Sequence, residues 1–233
     1  MEIKVIASGS TGNAYIVDDG STKLLLDAGV PFPAIQRGAG YRTRDIKGCL
    51  ITHAHGDHSK AASEVMRRCI TVYTSAGTIA ACGLTGYRAH AIKSMERAKV
   101  GTFTVMAFDV KHDAPEPLGF LIRSNATGEK LLYFTDTYYL EYRFTGITHI
   151  LGECNYTEAA LAEAVTNGTT PEALAKRIIK SHMSLETFLG FIRANDMSRV
   201  RQIYLLHLSE SHSSEAEMKN AVRAATGAEV YTV

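Results

Sequence analysis

Apolar residues along this chain gather into short runs, each closed by a polar residue or a glycine. CLIT (49–52) ends at His53, TFTVMAFDV (102–110) leads to His112, KLLYFT (130–135) to Asp136, and QIYLL (202–206) to His207. Runs of this length, bounded by polar turns, predict buried strands. The opening EIKVIASGSTGNAYIVDDGSTKLLLDAG predicts a meander of three short strands separated by glycine turns.

Between the runs the spacing turns helical. Ala61, Ala62, Val65, Met66 and Cys69 make one apolar face over 59–69. Thr170 before Pro171 predicts an N-cap with proline at the first helical position, and Leu174, Ile178 and Ile179 form the stripe. Leu185, Phe188, Leu189 and Ile192 space a helix that starts just after His182, with Ser184 as its cap. Ser214 and Glu217 make a capping box, and Gly227 stops that helix. A β-rich start followed by mixed strands and helices predicts an α/β (α+β) protein, two sheets packed together with helices outside. No linker, repeat or low-complexity tract interrupts it, so residues 1–233 are expected to form a single domain.

Composition narrows this picture. Hydrophobic residues make up 45% and charged residues 21%, which suits a large core and argues against disorder. No run approaches the roughly 18 to 20 apolar residues of a membrane span, and MEIKVIASGS does not read as a signal peptide. Cys49, Cys69, Cys82 and Cys154 form no CxxC pair and are expected to be reduced thiols in a cytoplasmic protein. The net charge of +1 argues against a general nucleic-acid coat. Its distribution is uneven: Arg37 to Lys99 holds eleven Lys or Arg against four acids, and Glu153 to Glu172 holds four acids and no base. A positive flank of this kind suits a phosphate-bearing substrate.

The chemistry concentrates in ITHAHGDHSK (51–60), where His53, His55, Asp57 and His58 fall within six positions. Imidazole and carboxylate are ligands of catalytic divalent metals. His53 and His55, two apart on an extended segment, point to one side, and Asp57 and His58 open a helix. A catalytic zinc takes three protein ligands and keeps a position for water, so four ligands here predict two metals completed from elsewhere. The other strand ends supply His112, Asp136 and His207, and only the carboxylate can bridge two ions.

HAHGDH followed by His112, Asp136 and His207 resembles the signature of the metallo-β-lactamase fold. IASGSTGNAYIV, KHDAPEPLGF, YFTDT, GECNY, RIIKSHMS and LLHLSESH are similar to its YycJ/WalJ-like branch, small bacterial and phage proteins regarded as DNA exonucleases. The resemblance covers essentially the whole chain and implies a four-layer αββα sandwich. It implies two divalent ions, Zn²⁺ or Mn²⁺: one on His53, His55, His112 and bridging Asp136, the other on Asp57, His58, Asp136 and His207. His182 matches a histidine that phosphodiesterases of this superfamily place over the substrate, and with Asp57 it is the expected catalytic residue. Thr157 departs from the branch, which carries aspartate after NY.

The expected activity is therefore a dinuclear phosphodiesterase, a nuclease acting on DNA, in which a hydroxide held between the ions attacks phosphorus. The alternatives are an RNA-processing nuclease and a small-molecule (cyclic nucleotide) phosphodiesterase. A thioester or lactone hydrolase has no clear need for His182, and a sensor without activity is disfavoured by a complete ligand set. Ser10 and Asn13 in the glycine turn, and Asn155 after HILGE, are candidate substrate contacts, with Glu153 beside them. Oligomeric state is left open.

Overall fold

The computed structural model describes residues 1–209 and 211–233, so Glu210 of the LLHLSESH motif lies outside the described residues. The chain divides into two compact units, Met1–Asp109 with Ala114–Glu129, and Val110–Asp113 with Lys130–Val233.

In the first unit the meander forms as expected, with β1 (Glu2–Ala7), β2 (Ala14–Asp18) and β3 (Lys23–Leu26) antiparallel. Then follow α1 (Phe32–Gly38), β4 (Ile46–Leu50), α2 (Gly56–Ser59), α3 (Ala62–Arg67), β5 (Val72–Thr74), α4 (Ala76–Ala81) and β6 (Ala89–Ala91). The six strands pair in sequence order, the last three joining in parallel through crossovers. The register aligns Ile16, Leu25, Cys49 and Val72 across four strands, and this buried row belongs to one core cluster with Phe32, Ile35, Ala62 and Val65 of the helices. Strands β7 (Arg97–Val100), β8 (Phe103–Asp109) and β9 (Leu118–Ser124) add an antiparallel meander. Alternation is visible in β8, where Phe103, Val105 and Ala107 are buried and Thr104 and Met106 are half-buried.

The helix expected over 59–69 is shortened to α3, and the short α2 before it is a separate turn. Ala28 N donates to His58 O and Ala61 N donates to Ala28 O, both at 2.8 Å, so the chain is stitched sideways to the loop after β3 at the junction. Cys69 lies beyond α3 with φ 65° and is exposed rather than part of the apolar face. All four cysteines are free thiols, Cys49 and Cys154 buried.

The second unit contains β10 (Lys130–Phe134), β11 (His149–Glu153), α5 (Glu158–Thr166), α6 (Glu172–Ser181), α7 (Leu185–Ala194), β12 (Gln202–Leu206), α8 (Glu215–Thr226) and β13 (Glu229–Thr232). Its four strands run parallel in the order β13-β12-β11-β10. HILGE is buried at every position, as expected for a parallel strand covered on both faces. Ser184 caps α7 by accepting from Thr187 N, Ser214 caps α8, and Gly227 ends α8 at φ 68°, the left-handed stop that glycine allows.

Thr170 does not cap α6. Pro171 takes the capping position in an extended conformation, and the Thr170 hydroxyl instead meets His212 Nε2 at 2.7 Å in a buried contact. The stripe also differs: Ala175 is buried and Ile178 half-buried, while Leu174 and Ile179 are exposed. No helix among the described residues is long and apolar enough to cross a membrane.

Candidate metal centre

Each unit carries one cluster of ligand-type residues at its strand ends. In the first unit the chain leaves β4 through Thr52 and His53 and enters α2 at His55, which brings the four HxHxDH side chains together. His53 Nε2 and His55 Nδ1 are 3.1 Å apart, with the rings edge-on. Two nitrogens each bound at zinc distance in tetrahedral geometry would be about 3.3 Å apart, so the pair fits one shared ion. His58 Nε2 lies 3.4 Å from Asp57 Oδ2.

Asp27, which the sequence reading did not single out, organises this cluster. Wholly buried at the end of β3, it meets His58 Nδ1 at 2.7 Å and accepts from Thr52 N at 2.8 Å and from the Thr52 hydroxyl. That hydroxyl in turn lies 3.0 Å from His53 Nδ1. Both histidines are thus held at Nδ1, which directs Nε2 to a ligand, the usual outer support of a metal-bound imidazole. The signal was present in KLLLDAG: a carboxylate closing a buried run, like the other strand-end residues. Asp27→Ala is expected to lower metal affinity roughly 10- to 100-fold while leaving the ligands in place. Titration with a competing chelator measures this, and wild-type affinity would sink the assignment.

Asn13 is buried beneath the same loop. Its amide nitrogen is 3.1 Å from His58 Nε2 and 3.3 Å from Asp57 O, and its backbone N donates to Asp57 O at 2.7 Å. Ser10, in the same turn, is exposed. Gly29 passes so close that a Cβ placed on it would lie 1.6 Å from Asp57 O. Backbone cannot yield there as a side chain would, so Gly29→Ala is expected to destabilise the protein by about 3 kcal/mol and displace the Asp57 loop. A denaturant melt with a metal assay checks both; wild-type stability would refute the close approach.

In the second unit, Asp136, Glu153 and His207 leave the carboxyl ends of three adjacent parallel strands, the usual position of a site in such a sheet. One ligand atom from each of Asp136, Glu153, His182 and His207 falls within 4.8 Å of the others. Asp136 Oδ2 is 3.6 Å from His112 Nε2, and Oδ1 is 3.9 Å from His207 Nε2. Asp136 and His207 both hold left-handed backbone, at φ 49° and 56°, as Asp27 does at 52°. Non-glycine residues seldom adopt this region, and the turn it makes swings each side chain sharply off its strand. Asn155 donates to His207 O at 2.6 Å and its amide nitrogen lies 3.1 Å from His207 Nδ1.

His182 follows α6 and stacks on His207, ring centroids 5.2 Å apart and planes at 14°. Its Nδ1 meets Glu153 Oε1 at 2.6 Å, and Glu153 Oε2 accepts from Thr137 N at 2.8 Å. Burial works to lower the imidazole pKa, but the charge and hydrogen bond of Glu153 outweigh it and raise it to about 9. Thr157, the departure noted above, caps α5 by accepting from Ala160 N at 3.2 Å.

These donor sets, imidazoles with one or two carboxylates and no thiolate, suit a divalent metal ion. Residues 22–208 match the model of the β-lactamase superfamily domain, and the chain belongs to that family. It has the metallo-β-lactamase fold and is a metal-dependent hydrolase. It is 30% identical over 220 residues to an exodeoxyribonuclease YycJ of Bacillus anthracis, covering 90% of this chain and 83% of that one. It is 26% identical over 226 residues to an exodeoxyribonuclease WalJ of Streptococcus pneumoniae, covering 90% and 82%. Among solved structures, the metallo-β-lactamase fold protein YhfI from Bacillus subtilis superposes with a TM-score of 0.72 at 14% identity, over 99% of this chain and 95% of that one.

Proposed function

We propose that residues 1–233 act as one domain, a dinuclear metal phosphodiesterase whose substrate is DNA, cleaved from an end. The observation that carries this reading is His182: a partly exposed imidazole, stacked on one candidate ligand and anchored through Nδ1 by a buried carboxylate. Hydrolysis of a phosphodiester expels an alkoxide that a positioned acid must protonate, whereas a thioester expels a thiolate that leaves without that help. The naming of two relatives as exodeoxyribonucleases supports nucleic acid as the substrate.

In this reading His53, His55, His112 and Asp136 would hold one divalent ion, and Asp57, His58, Asp136 and His207 the second. Bound ions supply a water acidified enough to attack phosphorus at neutral pH and charge to offset that developing on the phosphate oxygens. Asp27 and Thr52 orient the histidines of the first cluster. Glu153 keeps the proton on His182 Nδ1, so that Nε2 delivers its proton to the departing oxygen.

The test is hydrolysis of bis-p-nitrophenyl phosphate and of 5′-labelled single- and double-stranded DNA with Mn²⁺ or Zn²⁺. Stepwise shortening of DNA is expected. Cleavage of the small diester with DNA left intact would move the assignment to a small-molecule phosphodiesterase. No turnover of either by metal-loaded protein would end the phosphodiesterase reading.

A further inference from the structure

We infer that a cavity beside His112, in the second unit, receives one nucleotide of the substrate strand, its base against Tyr138 and its phosphate toward Lys180. The inference rests on the phosphodiesterase reading and names the part of the substrate that this face would hold. The cavity measures about 650 Å³ and is lined by Lys111, His112, Asp113, Tyr138, Ile179 and Lys180 among others. That volume lies in the range of small-ligand sites.

Three observations point to a nucleotide. Tyr138 is 43% exposed and Ile179 is 51% exposed, two large apolar surfaces left outside the core on the walls of one cavity. Aromatic faces of this kind stack on any base, which suits an enzyme that moves along a strand. The walls are also fixed to the candidate ligand loop. Lys111 N donates to the Thr137 hydroxyl at 3.0 Å, and that hydroxyl donates to Tyr139 O at 2.9 Å. Thr137 N is bound to Glu153, so Tyr138 follows directly on a residue locked to the His182 anchor. Lastly, the two cationic walls differ. Lys111 Nζ is 3.1 Å from Glu141, whereas Lys180, in the last turn of α6, forms no ion pair among the described residues. Asp113 Oδ1 lies 3.3 Å from His112 Nε2, which leaves Lys180 as the cation to meet a phosphate.

Binding of a fluorescein-labelled single-stranded DNA decamer, followed by anisotropy in EDTA, tests the subsite without turnover. Tyr138→Ala is expected to weaken binding roughly 5- to 100-fold, and Tyr138→Phe to keep it close to wild type. Lys180→Ala is expected to lower the slope of log K against log salt by about 0.7, the loss of one phosphate contact on a single strand. In turnover both alanine variants should raise KM for the decamer more than they lower kcat, and lose more on the decamer than on bis-p-nitrophenyl phosphate. Wild-type affinity and KM in a Tyr138→Ala protein of unchanged melting temperature would overturn the subsite. Should the wild type bind DNA through Tyr138 and Lys180 yet hydrolyse neither substrate, the phosphodiesterase reading falls and the subsite stands.

Discussion

Asp136→Ala is expected to lower kcat/KM on a phosphodiester by about 10³-fold or more and to reduce bound metal in the same protein. The residue is 3% exposed, with one carboxylate oxygen 3.6 Å from His112 Nε2 and the other 3.9 Å from His207 Nε2. Thr135 Oγ donates to Oδ1 at 2.9 Å, which fixes the carboxylate plane. Alanine therefore removes the negative charge that faces both histidines, and water cannot replace a charge. Asp136→Asn keeps the shape and a hydrogen-bond acceptor, so a comparable loss with asparagine would assign the effect to charge rather than packing. Metal analysis beside steady-state kinetics decides it: a variant that keeps both its metal and its turnover would remove Asp136 from the centre.

His182→Ala should cost about 10²- to 10⁴-fold in kcat on DNA, and far less on bis-p-nitrophenyl phosphate, whose leaving group needs no proton, while the bound metal stays at the wild-type level. The separation of the two readouts matters, because a residue acting as a metal ligand would lose both together. Glu153→Gln provides the companion test. It retains the fold of the loop through the Thr137 amide but removes the charge that lifts the His182 imidazole to about 9. The folded-state value lies above the ordinary one near 6.5, so the pair stabilises the fold fully below that pH and loses its contribution as pH rises through about 9. Melting temperatures of metal-free protein between pH 6 and 9.5 should therefore fall further for the wild type than for Glu153→Gln. Parallel pH profiles for the two proteins would show that the ion pair does not set the His182 proton.

The clustering of the candidate ligands was legible because their residue types are themselves the signal. Three histidines and an aspartate in HxHxDH, and the strand ends before Asp136 and His207, could be placed by run length and side-chain chemistry alone. Asp27 was not found, since its role is a contact with a histidine 31 positions away, and its neighbours LLLDAG also read as an ordinary turn. Helix boundaries failed for a related reason. Thr170 has the chemistry of an N-cap, but a buried contact with His212 competes for its hydroxyl. The helix predicted over 59–69 had continuous apolar spacing, and its late start at Ala62 comes from backbone bonds to Ala28 that leave no trace in local pattern. Capping by Ser184 and Ser214 was read correctly: the Ser184 hydroxyl accepts from Thr187 N even though it also reaches Glu158, so here a tertiary contact and the cap coexist.

The left-handed turns at Asp27, Asp136 and His207 carry a consequence for how this protein can change. Each holds a residue with a Cβ in a region that costs on the order of 1 kcal/mol, although aspartate and histidine tolerate it better than most. Glycine at Asp136 or His207 would relieve that strain at the moment it deleted a candidate ligand. Selection for heat resistance of the metal-free protein would therefore not protect these positions, whereas bound metal would oppose their loss. A library screened for thermal survival in chelator, without an activity readout, is expected to lose these residues more readily than one screened with metal present.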